Sequence, residues 1–281
     1  MIASAAALLI VSQTSGVTSS TNLLYSTVDQ IPLRLDLHVP TAATKAPLIV
    51  WIHGGGWQSG DKAQYQPARL FQVRNPDFAV ASINYRLSHQ GIFPAQLIDC
   101  KTAIAWIRAN AAQYKIDPDK VAVWGSSAGG QLAAMVGTTA GWDGVSKVID
   151  RDSRVRAVVD YYGPTDLISF VQTPGYTSHA SATSAESKLI GGAVLENKKL
   201  ARNASPTEFV TSDDAPFFIV HGTSDPVVPP AQSQLIHDKL VAQRVQSELT
   251  FLPGAGHGGP ASTDAALLDR VAVFIRRAFA N

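Results

Sequence analysis

The 281-residue sequence is poor in the residues that carry disulfide, metal and nucleic-acid chemistry. A single cysteine, Cys100, excludes an intrachain disulfide and any paired-cysteine metal site. The seven histidines stand apart, neither His-x-x-x-His nor His-Glu-x-x-His occurs, and no metal centre is expected. Charge is scarce, at 16% of residues, and nearly balanced, with 23 Lys and Arg against 22 Asp and Glu. Lys198-Lys199 and Arg276-Arg277 are the only adjacent basic pairs, which leaves no footprint for nucleic acid. The apolar run Ala5 to Val11 is far too short to span a bilayer, so no stable membrane insertion is expected. Followed by the Ser/Thr-rich stretch Ser12 to Thr21, it reads as the h-region of an export signal or its remnant, although no Lys or Arg precedes it. Residues 1–21 are therefore expected to be a leader, and the location secreted or periplasmic.

What is plentiful is apolar residues, 46% of the chain, enough for a large core in one domain from residue 22 to 281. Leu23 to Val28 and Leu33 to Val39 read as an edge hairpin, the second strand alternating Leu33, Leu35 and Leu37 with Arg34, Asp36 and His38. Buried strands follow at Pro47 to Ile52, Phe78 to Tyr85, Val121 to Trp124, Val155 to Tyr162, Pro216 to Val220 and Leu249 to Leu252. Helical patterns separate them, at Pro94 to Asn110, from Gln131, at Ala231 to Gln243 and at Thr263 to Phe279. Strand and helix in alternation predict an α/β fold with a mostly parallel sheet covered on both faces. Thr165 to Val210 has no clean period and reads as a small cap inserted after the sixth predicted strand.

Four features fall where predicted strands end, the position in which open α/β sheets place their sites. The first is Gly125-Ser126-Ser127-Ala128-Gly129, a strand-to-helix turn that lifts Ser127 to a helix N-terminus, where developing negative charge is favoured. Next, His53-Gly54-Gly55-Gly56-Trp57 can turn backbone N–H groups inward unobstructed, which makes Gly55 and Gly56, with Ala128, the expected oxyanion donors. Asp225, in His221-Gly222-Thr223-Ser224-Asp225-Pro226, could orient a histidine; Asp213, Asp214 and Asp264 compete by type but do not directly follow a strand. Finally His257, flanked by glycines in Gly254-Ala255-Gly256-His257-Gly258, is ill suited to packing and free to reach Ser127. His53 and His221 read as turn-shaping residues, and His38, His89, His179 and His237 as surface or cap residues. The order Ser127, Asp225, His257 is that of α/β-hydrolases, not of chymotrypsin or subtilisin.

From about Leu33 to Ala278 the sequence resembles α/β-hydrolase esterases of the HGGG-type lipase and esterase group. They are related to hormone-sensitive-lipase-like enzymes, and the sequence looks especially like the short-cap bacterial enzymes described as acetyl-xylan or feruloyl esterase-like. The resemblance rests on W-I-H-G-G-G-W-Q-S-G-D-K, N-Y-R-L, F-P-A-Q-L-I-D, W-G-S-S-A-G-G, Y-G-P-T-D-L, H-G-T-S-D-P-V-V-P and G-A-G-H-G. It implies Ser127 as nucleophile, His257 as base, Asp225 as acid, the oxyanion donors already named, and no cofactor. One departure stands out: only 52 residues precede His53, too few for the N-terminal cap usual in hormone-sensitive-lipase-like enzymes. The implied substrates are small-molecule or polysaccharide-linked esters; the modest cap, with Tyr162, Phe170, Tyr176 and Leu189 nearby, suggests an open acyl pocket for short or aromatic acyl groups, and Trp57 and Tyr162 are the candidate substrate contacts. The same residues would equally serve an arylformamidase, another amidase or a peptidase. A non-catalytic binding protein on this fold would be expected to lack the serine or the histidine.

Overall fold

Short apolar strands can bury both faces only if helices pack on both sides of the sheet they form. The computed structural model, which describes residues 10–14, 16–142, 144 and 152–280, has this layering. The strands are β1 (Ile10–Thr14), β2 (Val17–Val28), β3 (Ile31–Pro40), β4 (Ala46–Ile52), β5 (Ala79–Ile83), β6 (Ile116–Ser126), β7 (Ala157–Tyr161), β8 (Phe217–Gly222) and β9 (Ser247–Leu252). They form one sheet in the order β1-β2-β3-β5-β4-β6-β7-β8-β9. The pairings from β1 to β5 are antiparallel, and those from β5 through β4 to β9 are parallel.

The helices are α1 (Gln66–Arg74), α2 (Ala95–Ala109), α3 (Ala128–Thr138), α4 (Leu167–Gln172), α5 (Ala185–Ile190), α6 (Lys198–Asn203), α7 (Ala231–Ala242) and α8 (Ala265–Ala280). On one face, Leu97 and Ile104 of α2, Leu132 and Met135 of α3, and Ile236 and Leu240 of α7 bury against Leu48, Val50 and Val123. On the other, Phe71 of α1 and Leu268, Val271 and Phe274 of α8 bury against Ile49, Trp51, Trp124 and Phe218. The sides alternate because successive residues of a strand point to opposite faces. Helices α4 to α6 lie between β7 and β8 and make the small cap; Asp166 starts α4 by accepting from the Ile168 and Ser169 amides, both at 3.0 Å. The cap follows the seventh strand instead of the sixth because β1 precedes the hairpin.

Two expectations change. The second hairpin strand, β3, is not half exposed: Asp36 and His38 are buried at 7% and 9% exposure. Residues 62–72 cover that face, with Lys62 Nζ 2.9 Å from Asp36 Oδ2, Gln72 donating to the His38 carbonyl and Tyr65 stacked on the His38 ring. Nor is the hairpin the edge, since β1 pairs outside β2. Residues 17–21 of the expected leader begin β2, while Ala5 to Leu9 of its apolar run lie outside the described residues. Among the described residues no helix is long and apolar enough to cross a membrane.

Candidate active site

The parallel strands β4, β6 and β8 end on one rim of the sheet, and the loops that leave them converge there. β6 hands over to α3 at Ser127, whose φ of 55° and ψ of −122° lie in a region that costs a non-glycine residue about 1–3 kcal/mol. The surroundings hold it there: the Ser127 amide donates to the Tyr161 carbonyl at 2.8 Å and its carbonyl accepts from Gln131 at 3.0 Å. Gly129 brings the start of α3 against the end of β4, where a Cβ would stand 2.1 Å from the Ile52 carbonyl oxygen. Any side chain at 129 would push the serine turn away from the glycine loop.

That loop is held by its histidine. His53, 1% exposed, stacks on Tyr85 at 4.4 Å, keeps Nδ1 2.7 Å from the Gly54 carbonyl, and accepts the Tyr85 hydroxyl on its own carbonyl at 2.9 Å. Burial depresses the His53 pKa from its ordinary value, so the ring favours its neutral form. Gly55 and Gly56, at φ of 108° and 59°, turn the backbone above the rim, and the amide of Ala128 opens α3, where first-turn N–H groups have no intrahelical partner. None of these three amides has a hydrogen-bond partner among the described residues.

The loops that carry Asp225 and His257 meet opposite. Ser224 donates to the Ala255 carbonyl at 2.9 Å and Gly254 to Thr223 Oγ1 at 2.8 Å, which pins the two loops together. Gly222 permits this approach, because a Cβ there would stand 2.3 Å from the Ala255 carbonyl oxygen. As a result His257 Nδ1 lies 2.7 Å from Asp225 Oδ2, and His257 Nε2 lies 2.8 Å from Ser127 Oγ. A carboxylate oxygen only accepts, so the proton of the neutral ring sits on Nδ1 and Nε2 is free to take the serine proton. Asp225 is 2% exposed, and its Oδ1 accepts from the Val227 and Val228 amides at 2.8 and 3.0 Å. Burial alone would raise its pKa; hydrogen bonds from His221 and His257 and from these amides outweigh burial and hold the carboxyl well below the usual range.

All three residues expected to do the chemistry are thus adjacent; of the expected oxyanion residues, Ala128 follows Ser127 directly, and Gly55 and Gly56 follow Gly54, where a Cβ would stand 3.4 Å from that of Ser127. Trp57 is placed otherwise. Its indole is 2% exposed and donates to Gln131 Oε1 at 3.0 Å, so it anchors the loop instead of lining an open surface. Tyr162 is half buried, with its ring edge-on to His257 at 4.7 Å. Gln131 escaped sequence reasoning: it joins Trp57 to the Ala204 carbonyl of the cap, and it carries no local sequence signal because both partners are remote in sequence. Tyr176 of the cap donates its hydroxyl to the Asp225 carbonyl, a bond that its place in the sequence does not announce.

Behind the rim, Asp160 is fully buried in β7; its Oδ1 accepts from Gly163 at 3.0 Å and its Oδ2 has no partner among the described residues. Burial pushes its carboxyl from an ordinary 3.8 up to about 6, against the Gly163 amide and His221, which lower it. A folded pKa above the unfolded one contributes stability that is whole below about pH 4 and lost as pH rises through about 6. Asp160→Asn, which cannot ionise, is therefore expected to gain stability relative to the wild type between pH 4 and pH 8, by about 3 kcal/mol. Denaturant melts at the two pH values read this difference; a gap between variant and wild type that does not change with pH contradicts it.

Residues 35–240 match the BD-FAE family. The chain belongs to that family. This BD-FAE chain is 34% identical to esterase LipC of Mycobacterium tuberculosis over 216 residues, 76% of this chain and 53% of LipC. It spans about half the length of the curated relatives it matches first. A truncated carbohydrate esterase from gut microbiota superposes with a TM-score of 0.83 at 30% identity, over 94% of this chain and 97% of that one. Butyrate-bound esterase Est2 of Thermogutta terrifontis does so with a TM-score of 0.73 at 25% identity, over 91% of this chain and 92% of that one. The fold is that of the α/β-hydrolases, and the likeness to hormone-sensitive-lipase-related esterases expected from the motifs is borne out.

Proposed function

We propose that the protein is a serine carboxylesterase acting on short-chain or aromatic acyl esters, acetyl or feruloyl esters of plant polysaccharide among them. The observation that carries this reading is the unbroken chain Ser127 Oγ, His257 Nε2, His257 Nδ1 and Asp225 Oδ2, at 2.8 and 2.7 Å, with Ser127 in a strained turn at a helix N-terminus. His257 takes the Ser127 proton as Oγ attacks the ester carbonyl carbon. The amides of Gly55, Gly56 and Ala128 hold the oxyanion of the tetrahedral intermediate. The imidazolium returns the proton to the departing alkoxide, and an acyl-serine remains. Water, deprotonated by the same imidazole, then attacks the acyl group and releases the acid. The scheme calls for no cofactor.

The substrate class is supported by the relatives' own descriptions, a carbohydrate esterase in one case and an esterase holding butyrate or propionate in the other. A panel of p-nitrophenyl acetate, butyrate and decanoate, acetylated xylan, methyl ferulate and p-nitroacetanilide tests it. The acetate and butyrate esters are expected to exceed the decanoate in kcat/KM by roughly 10-fold or more, with the anilide slowest. Anilide turnover matching the esters would instead make the protein an amidase.

A further inference from the structure

Asp225 has a second imidazole. His221, at the end of β8, is 0% exposed, and its Nε2 lies 3.2 Å from Asp225 Oδ2 and 3.0 Å from the Val228 carbonyl. Both neighbours of Nε2 are acceptors only, so Nε2 carries a proton. Its other nitrogen, Nδ1, lies 2.7 Å from Ser233 Oγ in α7, a hydroxyl able to donate to it. Ser233 therefore favours one tautomer, the one that puts the proton on Nε2, between the Val228 carbonyl and Asp225 Oδ2. The ring is walled by Tyr162, edge-on at 6.4 Å.

Around Asp225, the Val227 and Val228 amides and His257 make hydrogen bonds, two on Oδ1 and one on Oδ2, and His221 Nε2 stands 3.2 Å from Oδ2 as the fourth N–H. His221 Nε2 and His257 Nδ1 approach one oxygen from two loops, at 3.2 and 2.7 Å, the His221 N–H being shared with the Val228 carbonyl. A buried site with only a packing requirement would be filled more cheaply by leucine, because a buried polar group is tolerated only when its partners are met. We infer that His221 is a positioning residue: with Ser233 it holds Asp225 Oδ2 in register for His257. This rests on the esterase reading above, and it takes His221 beyond the turn-shaping part that its place in the sequence implies.

The test compares wild type, His221→Leu, His221→Gln and Ser233→Ala on p-nitrophenyl acetate, with Tm for each and fluorophosphonate labelling of Ser127 in the wild type. His221→Leu removes the donor and is expected to lower kcat roughly 10- to 100-fold with KM within about twofold, the size of a hydrogen bond to a charged group. His221→Gln, which can place an amide N–H near the old Nε2, is expected to recover most of the loss. Ser233→Ala leaves the donor present but unfixed and His221 Nδ1 without its hydroxyl, and is expected to lose several-fold in kcat with a Tm a few degrees below the wild type; it reads the effect even if His221→Leu does not fold. In the folded variants, the downfield proton NMR signal of the His257–Asp225 bond is expected to move in His221→Leu and return in His221→Gln. A purely structural part for His221 would leave that signal in place. A wild type that labels at Ser127, while Ser233→Ala and any folded His221→Leu turn over at the wild-type kcat, overturns this inference alone. A wild type that neither labels at Ser127 nor turns over ester overturns the esterase reading and this inference with it.

Discussion

Ser127→Ala is expected to lower kcat on p-nitrophenyl acetate by about 10⁴-fold or more, and to abolish the burst of p-nitrophenol, while the protein keeps its fold. The loss is large because the scheme has one nucleophile: no acyl-enzyme forms without Oγ, and only binding and the oxyanion donors remain to speed attack by water. Neighbouring Ser126 does not replace it, since Ser126 ends β6 paired in register with Tyr161 and precedes the turn. The fold is retained because alanine keeps the Cβ, the backbone at φ 55° and the hydrogen bond that the residue 127 amide donates to the Tyr161 carbonyl. Only the hydrogen bond to His257 Nε2, at 2.8 Å, is removed. Stopped-flow burst amplitude and thermal unfolding check the two halves separately. A full burst in this variant would remove Ser127 from the chemistry, whatever the geometry.

Those parts of the site that could be read in the sequence have local causes. A strand that breaks at small residues and resumes as a helix predicts the turn at Ser127, and glycines beside His53 and His257 predict loops with a backbone task. The rest depends on contacts between distant segments. Helix α1 has Ala68, Phe71 and Gln72 as its buried residues, too slight a stripe to announce a helix, yet the segment leading into it converts Asp36 and His38 of β3 from surface to interior. Gln131 looks like any polar residue in a first helical turn; its value lies in bonds to Trp57 and Ala204. Trp57 itself, next to a glycine loop, reads as a surface for substrate until Gln131 is seen to draw the indole inward. β8 runs on through His221 and Gly222 because β9 offers Phe251 and Leu252 in register, an extension that no propensity of His-Gly would predict.

Asp225→Asn tests the geometry of the site more severely than its size implies. The wild-type carboxylate faces N–H groups at both oxygens, the Val227 and Val228 amides at Oδ1 and the two imidazoles at Oδ2. An asparagine has one acceptor oxygen and one NH2, so one pair must face a donor. If the oxygen stays with the Val227 and Val228 amides, the NH2 faces the imidazoles and His257 must accept on Nδ1. Its proton then moves to Nε2, and Ser127 meets a donor where it needs a base. If the amide flips, the two backbone N–H groups are left without an acceptor in a buried loop, and the loop that carries residue 225 loosens. Either arrangement is expected to lower kcat by about 10⁴-fold, the size seen when a triad acid is made neutral. Stability responds with a definite sign. A carboxyl whose folded pKa is depressed contributes stability that is present above its unfolded value, near 3.8, and is lost as pH falls through the folded one. The variant is therefore expected to melt below the wild type at pH 7, with the gap narrowing below pH 3. Asp214→Asn, at a competing aspartate whose carboxylate accepts from Thr211 on the surface, is expected to keep the wild-type kcat. A rate near wild type for Asp225→Asn would mean that another group orients His257.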